Sequence, residues 1–209
     1  MTLFPRTLEW LCERTVEDNY RRELHKLARM VWEGVDYFVP VTDLWNYSAP
    51  QAVSDYHRRA WIQGAKEVGF SPADFTPADN MALAMLQVGH TSRLPDLYQW
   101  IVAHDKAHGG DINVIFSRLD LWVNALEQTQ SVAKERFGSD KKLKWELGAT
   151  EKHCASCLKL NGHVHRASQW QAADVRPQSP SLECGGWRCD CSLEVTDEPC
   201  TPGPVPSIP

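Results

Sequence analysis

The chain has no apolar run close to the ~20 residues needed to cross a bilayer. Its opening, Met1-Thr2-Leu3-Phe4-Pro5-Arg6, lacks the basic flank and apolar stretch of a secretory leader. No membrane span or export signal is expected, so the chain is expected to fold in a reducing cytoplasm. Positive charge is also short. Lys and Arg number 22 against 27 Asp and Glu, a net charge of −5. A nucleic-acid binder needs clustered cations to neutralise phosphates, so direct DNA contact is not expected. There is no Gly-rich phosphate loop, no G-x-S-x-G elbow and no paired-carboxylate signature. Cysteine is nearly missing from the first 150 residues, where Cys12 stands alone.

The other six cysteines sit in the last third. Cys154 and Cys157 form C-x2-C; after a 26-residue gap Cys184, Cys189 and Cys191 form C-x4-C-x-C, and Cys200 trails. Two cysteines separated by two residues can present both sulfurs to one tetrahedral ion at about 2.3 Å, and a second pair must return from elsewhere to complete the shell. The spacing in a reducing compartment favours a structural zinc ion, with disulfides as the competing reading. An iron–sulfur centre fits the spacing poorly. Five sulfurs exceed what one tetrahedral ion uses. Cys154 and Cys157 are the firm pair and Cys189 the third ligand, while Cys184 and Cys191 compete for the fourth place.

Ahead of the cysteines the pattern is helical, and 209 residues suffice for one core and a small second unit. Tyr20, Leu24, Leu27, Val31 and Val35 make one stripe, with Leu8, Leu11 and Cys12 leading in. A second helix is expected over 51–67. Ser71-Pro72 and Thr76-Pro77 are two successive helix starts, each a hydroxyl cap followed by proline. The helix after Thr76 carries Met81, Met85, Leu86 and Val88 as its apolar face. Pro95 interrupts it, and Leu97, Trp100, Ile101 and His104 continue in a new helix. A last long helix follows Asp111 and ends near Gly138. The period then switches to alternation at Lys141-Lys142-Leu143-Lys144-Trp145, the mark of a half-buried strand. Beyond Gly148 the chain reads as loop-rich, with short strands at His163-Val164-His165 and Ser192–Val195. The fold class is mainly α: a helical body over 1–138, a small Cys-rich α+β metal-knuckle module over 139–198, and a Pro-rich, mobile tail over 199–209. With little apolar surface of its own, the module is expected to depend on its metal cross-link in place of a core. The nine tryptophans, spread from Trp10 to Trp187, read as core or interface anchors.

Catalytic readings of the same residues fail on detail. A zinc deaminase needs H-x-E ahead of P-C-x-x-C, yet no H-x-E occurs and His153 precedes Cys154. His104 and His108 stand four apart on what reads as one helix, but lack the glutamate of H-E-x-x-H. His163 and His165, just past C-x-x-C, resemble a His–metal nuclease only superficially. The expectation is a non-enzymatic protein.

Residues Leu119 to Val195 resemble the C-terminal module of the Mu F-like phage head morphogenesis family, the minor head proteins of tailed phages. The similarity runs in order: an amphipathic helix (Leu119 to Phe137), a basic strand with a tryptophan (Lys141 to Trp145), C-x-x-C, then Leu158-Lys159-Leu160-Asn161-Gly162-His163-Val164, and finally Cys189-Asp190-Cys191-Ser192-Leu193. It covers about a third of the chain. Where the family often has His-Pro before the second cysteine group, this chain has Cys184-Gly185-Gly186-Trp187. Asp190 replaces the usual basic residue between the last two cysteines. The resemblance implies a virion head component of few copies, made in the host cytoplasm. Its partners would be the portal or the major capsid protein, with a part in head assembly and in DNA packaging or ejection. The alternative is a metal-dependent nuclease or a zinc-knuckle adaptor.

Overall fold

Thr15 starts the first helix by accepting the Asp18 N–H at 3.1 Å, and Glu17 and Asp18 favour the positive end of the helix dipole. This helix, α1 (Val16–Glu33), buries Tyr20, Leu24, Leu27, Ala28 and Val31, the expected stripe. The protein is known from a computed structural model that describes residues 15–208, apart from 35, 37, 150, 151, 187 and 188. Leu8, Trp10, Leu11, Cys12, Val35, Tyr37 and Trp187 therefore lie outside the described residues.

The second helix, α2 (Val41–Glu67), begins ahead of the expected Gln51 and holds Pro50 in its interior. Proline there removes one backbone donor and crowds the preceding turn. Burial of Trp45 and Ala49 on one side of it and Ala52 and Val53 on the other outweighs that local cost. A single 3-10 turn over Pro72–Asp74 leads to α3 (Pro77–Thr91), opened by a capping box in which Thr76 and Asp79 exchange hydrogen bonds. Its apolar face is not the inward one. Met81, Met85 and Val88 are 66%, 72% and 65% exposed, while Leu83 and Asp79 are buried. Asp79 turns inward because Arg136 of the last long helix binds it at 2.5 Å. After a break, α4 (Leu94–Ala103) carries Pro95 in its first turn, and α5 (Ile112–Phe137) starts at the Asp111 cap.

Helices α1, α2, α4 and α5 enclose one core through Leu24, Val53, Ile101, Leu119 and Leu126. Helices α2 and α5 come close at Gly64, where an added Cβ would stand 2.4 Å from the Gln130 carbonyl oxygen.

Strand β1 (Lys142–Glu146) is the centre of a three-stranded antiparallel sheet, flanked by β2 (Val164–Arg166) and β3 (Ser192–Val195). Leu143 pairs with His165, and Trp145 with Leu193. The alternation noted in the sequence puts Leu143 and Trp145 on the buried face, with Lys142 and Lys144 opposite. Two short helices break up the expected loop: α6 (Ala155–Leu160) and α7 (Ala167–Ala173). The periodicity was too short to register, since each spans fewer than two full turns.

The Cys-rich part does have an apolar core, contrary to the expectation that metal replaces one. Leu143, Trp145, Leu160, Trp170, Leu182 and Leu193 form it, and Val68, Phe70 and Phe137 of the helical body belong to the same cluster. The Phe137 ring stacks on Phe70 at 4.5 Å and on Phe75 at 5.0 Å. Buried charges cross the same seam. Lys134 Nζ lies 2.7 Å from Glu67 Oε2, donates to the Leu193 carbonyl at 2.7 Å and reaches Glu194 at 3.5 Å. The tail also departs from its expected mobility: Thr201 donates its N–H to Val164, Lys159 donates to the Ser207 carbonyl, and Val205 and Ile208 pack on the core.

Candidate metal centre

The C-x-x-C segment becomes a knuckle because Cys154 caps α6. Its sulfur accepts the Cys157 N–H at 3.4 Å, which places both sulfurs on one side of the helix start. The second cysteine group is brought to it by two polar clamps. Glu183 accepts the Ala155 N–H at 2.7 Å while its own N–H goes to Ser156 Oγ at 3.1 Å, setting Cys184 beside Cys154. Asp190 accepts the Ala149 N–H at 3.2 Å, setting Cys189 and Cys191 against the end of β1. Only glycine fits at 148, where a Cβ would meet the Asp190 carbonyl oxygen at 1.7 Å. The acid found where the resemblance led one to expect a base is thus a clamp. Neither clamp is visible as spacing.

All five sulfurs line one hollow of about 180 Å³, together with Lys152 and His153. They meet in two triads: Cys154, Cys157 and Cys184, and the fully buried Cys157, Cys189 and Cys191. Within each triad the sulfurs lie within 4.8 Å of one another. Cys157 belongs to both. Cys157 and Cys189 sulfurs stand 3.5 Å apart, far beyond the ~2.05 Å of a disulfide, and the six described cysteines are all free thiols. Cys200 is exposed, and neither triad includes it.

The electrostatics suit a cation. Hydrogen bonds donated by the Cys157 and Cys189 thiols, aided by the Gly148 N–H, hold Cys191 down to about 3. Cys157 is pushed up in return, through its bonds to Cys189 and Cys191 and its burial. Burial pushes Cys184 up to about 11. Hydrogen bonds from Cys157 and Cys184 lower Cys154 as well, so thiolate character is favoured in both triads, and a bound ion would displace the remaining protons. Soft thiolate donors in this number suit a thiophilic ion. The cluster can bind a metal.

The histidines lie elsewhere. His165 is wholly buried, edge-on to Trp170 at 5.2 Å, with both ring nitrogens unpartnered and its pKa lowered by burial and by His163. His163 stacks on it at 5.9 Å. His104 and His108 do not share a helix, because α4 stops at Ala103; His108 binds Asp105 at 2.8 Å. Sequence reasoning missed a histidine pair at the helical core, where buried His57 meets Thr129 Oγ1 at 2.6 Å and stacks on half-buried His90 at 4.3 Å. Burial lowers His90 to about 4, so both rings are neutral packing groups near pH 7. No family profile, curated protein or solved structure matches the chain. No helix among the described residues is long and apolar enough to cross a membrane.

Proposed function

We propose that this chain is a structural minor head protein of a tailed phage. It acts in head morphogenesis near the portal, with a zinc-stapled C-terminal unit, and contributes to DNA packaging or ejection through its position. The observation that carries the reading is the order of parts in one packed unit. An amphipathic helix (α5) leads to a Trp-bearing strand (β1), then C-x-x-C on α6, then C-x-C running into β3, the order that resembles the Mu F-like module. Zinc is the ion the all-sulfur donor set suits best in a protein without a redox task. Non-catalytic work is supported over a nuclease by the burial of His165, which a phosphodiester could not reach.

Docking through exposed tryptophan is not supported among the described residues, where all seven tryptophans are buried or half-buried. Several apolar side chains face outward on the helical body, Phe38, Tyr47 and Val114 among them, and three of them, Met81, Met85 and Val88, line up as one stripe on α3. The partner is the portal or the major capsid protein, and the location is the virion head. The test is incorporation into particles. Heads assembled with the wild-type chain should contain it, and Met81→Gln with Met85→Gln should cut its copy number at least tenfold while the melting temperature holds. A protein that never co-purifies with heads or procapsids ends the reading. Normal copy number for the double variant moves the docking surface away from α3.

A further inference from the structure

Four sulfurs bound to one ion at about 2.3 Å form a tetrahedron with every edge about 3.8 Å. All six separations must be that short at once. The structure gathers five sulfurs, yet it offers two sets of three, each within 4.8 Å, rather than one set of four. Three sulfurs around one ion at the same bond length need edges of at most about 4.0 Å, which each triad can meet by small side-chain shifts. The sets are not independent, because Cys157 is a corner of both.

The geometry points to two thiophilic ions rather than one, bridged by the Cys157 thiolate. The inner ion would take Cys157, Cys189 and Cys191, and the outer ion Cys157, Cys154 and Cys184. This rests on the metal-binding reading and deepens it. A thiolate has lone pairs enough for two ions, and Cys157 is at the hinge of the arrangement, 2% exposed in the first turn of α6. Charge favours the count. Five thiolates around one divalent ion would leave three uncompensated negative charges in a largely buried hollow, whereas two ions leave one, with Lys152 and His153 lining the same space. Each ion then has one position left for a nitrogen or oxygen donor. His153 is the one imidazole in the lining, and it adjoins the outer triad in sequence. Ions sharing a bridging ligand in this way sit about 3.5–4 Å apart, a separation the hollow accommodates.

The test is a count on the reduced full chain in a Cys12→Ser, Cys200→Ser background, which leaves only these five thiols. Cobalt(II) is titrated without oxygen, following the sulfur-to-cobalt absorption, and zinc is counted by native mass spectrometry. Two ions per chain are expected, with the cobalt paramagnetic signal weakened at two equivalents by coupling through the shared sulfur. Cys184→Ser removes a half-buried sulfur from the outer set only and should lower the count from two to one. Cys157→Ser should remove both. Saturation at one equivalent in the wild-type cluster overturns the two-ion inference and leaves a single-ion staple standing. Two equivalents without magnetic coupling overturn the bridge. No binding at all removes the metal reading itself.

Discussion

Lys134 is buried to 2% exposure at the seam between the bundle and the sheet, and replacing it with methionine tests whether the two parts are one cooperative unit. Methionine fills nearly the same volume, so the cavity contribution is small. What is lost is the charge and three polar contacts: Glu67, Glu194 and the Leu193 carbonyl. Removing one partner of a fully buried ion pair costs about 3–5 kcal/mol. Here Glu67 and Glu194 are 32% and 51% exposed and can regain water, whereas the carbonyl of fully buried Leu193 cannot. The expected loss is therefore about 2–3 kcal/mol, or a fall in melting temperature of roughly 5–10 °C for a chain of this size. Urea unfolding followed by far-UV circular dichroism, which reports the helices, and by tryptophan fluorescence, which includes Trp145 and Trp170 of the sheet unit, provides the assay. Both probes should shift together. Adding Glu67→Met to Lys134→Met should recover little, because the part-exposed carboxylate is already rehydrated. A change below about 0.5 kcal/mol, or two separate transitions of which only one moves, would refute the argument that the seam couples the halves.

Glu135, also 2% exposed, has its pKa raised to about 7 by burial, which the Arg176 guanidinium 3.6 Å away only partly offsets. A folded-state value above the unfolded one near 4.3 means its contribution is fully present below pH ~4 and is lost as pH rises through ~7. Glu135→Gln should accordingly flatten the decline in stability between those limits, checked by denaturation at a series of pH values; an unchanged slope counts against the assignment. Gly64→Ala forces a Cβ to 2.4 Å from the Gln130 carbonyl oxygen and should cost about 1–3 kcal/mol despite alanine's better helix propensity. Gly89→Ala, with nothing within 4 Å of the new Cβ, should gain up to about 1 kcal/mol. Calorimetry that gives both glycine variants the same sign would contradict the close approach of α2 and α5.

Local signals carried far in this sequence. Caps at Thr76 and Asp111 and the switch of period expected at Lys141, where β1 starts one residue later, are decided by neighbours within a few residues. That Cys154 and Cys157 meet the second cysteine group was legible too, because a C-x-x-C pair needs further ligands from elsewhere in the chain. Illegible features depend on long-range packing. Pro50 is tolerated because of what buries Trp45 and Val53. Met81 and Met85 face outward because Arg136 draws Asp79 in, which rotates α3. Two triads rather than a tetrad result from the Glu183 and Asp190 clamps, and no count of residues between cysteines encodes them.

The aromatic cluster at the seam has a bearing on how the chain reaches its fold. Trp61, Phe70, Phe75 and Phe137 are all in place once residue 137 has been made. Phe70 and Phe137 take part of their cover from the sheet unit, whose core is complete only when β1 pairs with β3, the last strand among the described residues. Until then the nascent bundle displays a sticky ring-lined surface, the kind that recruits chaperones or drives aggregation. Cutting the chain after residue 138 would make that transient state permanent, so the helical half should be poorly soluble alone. The short, late strand acts as the closing step of the whole molecule.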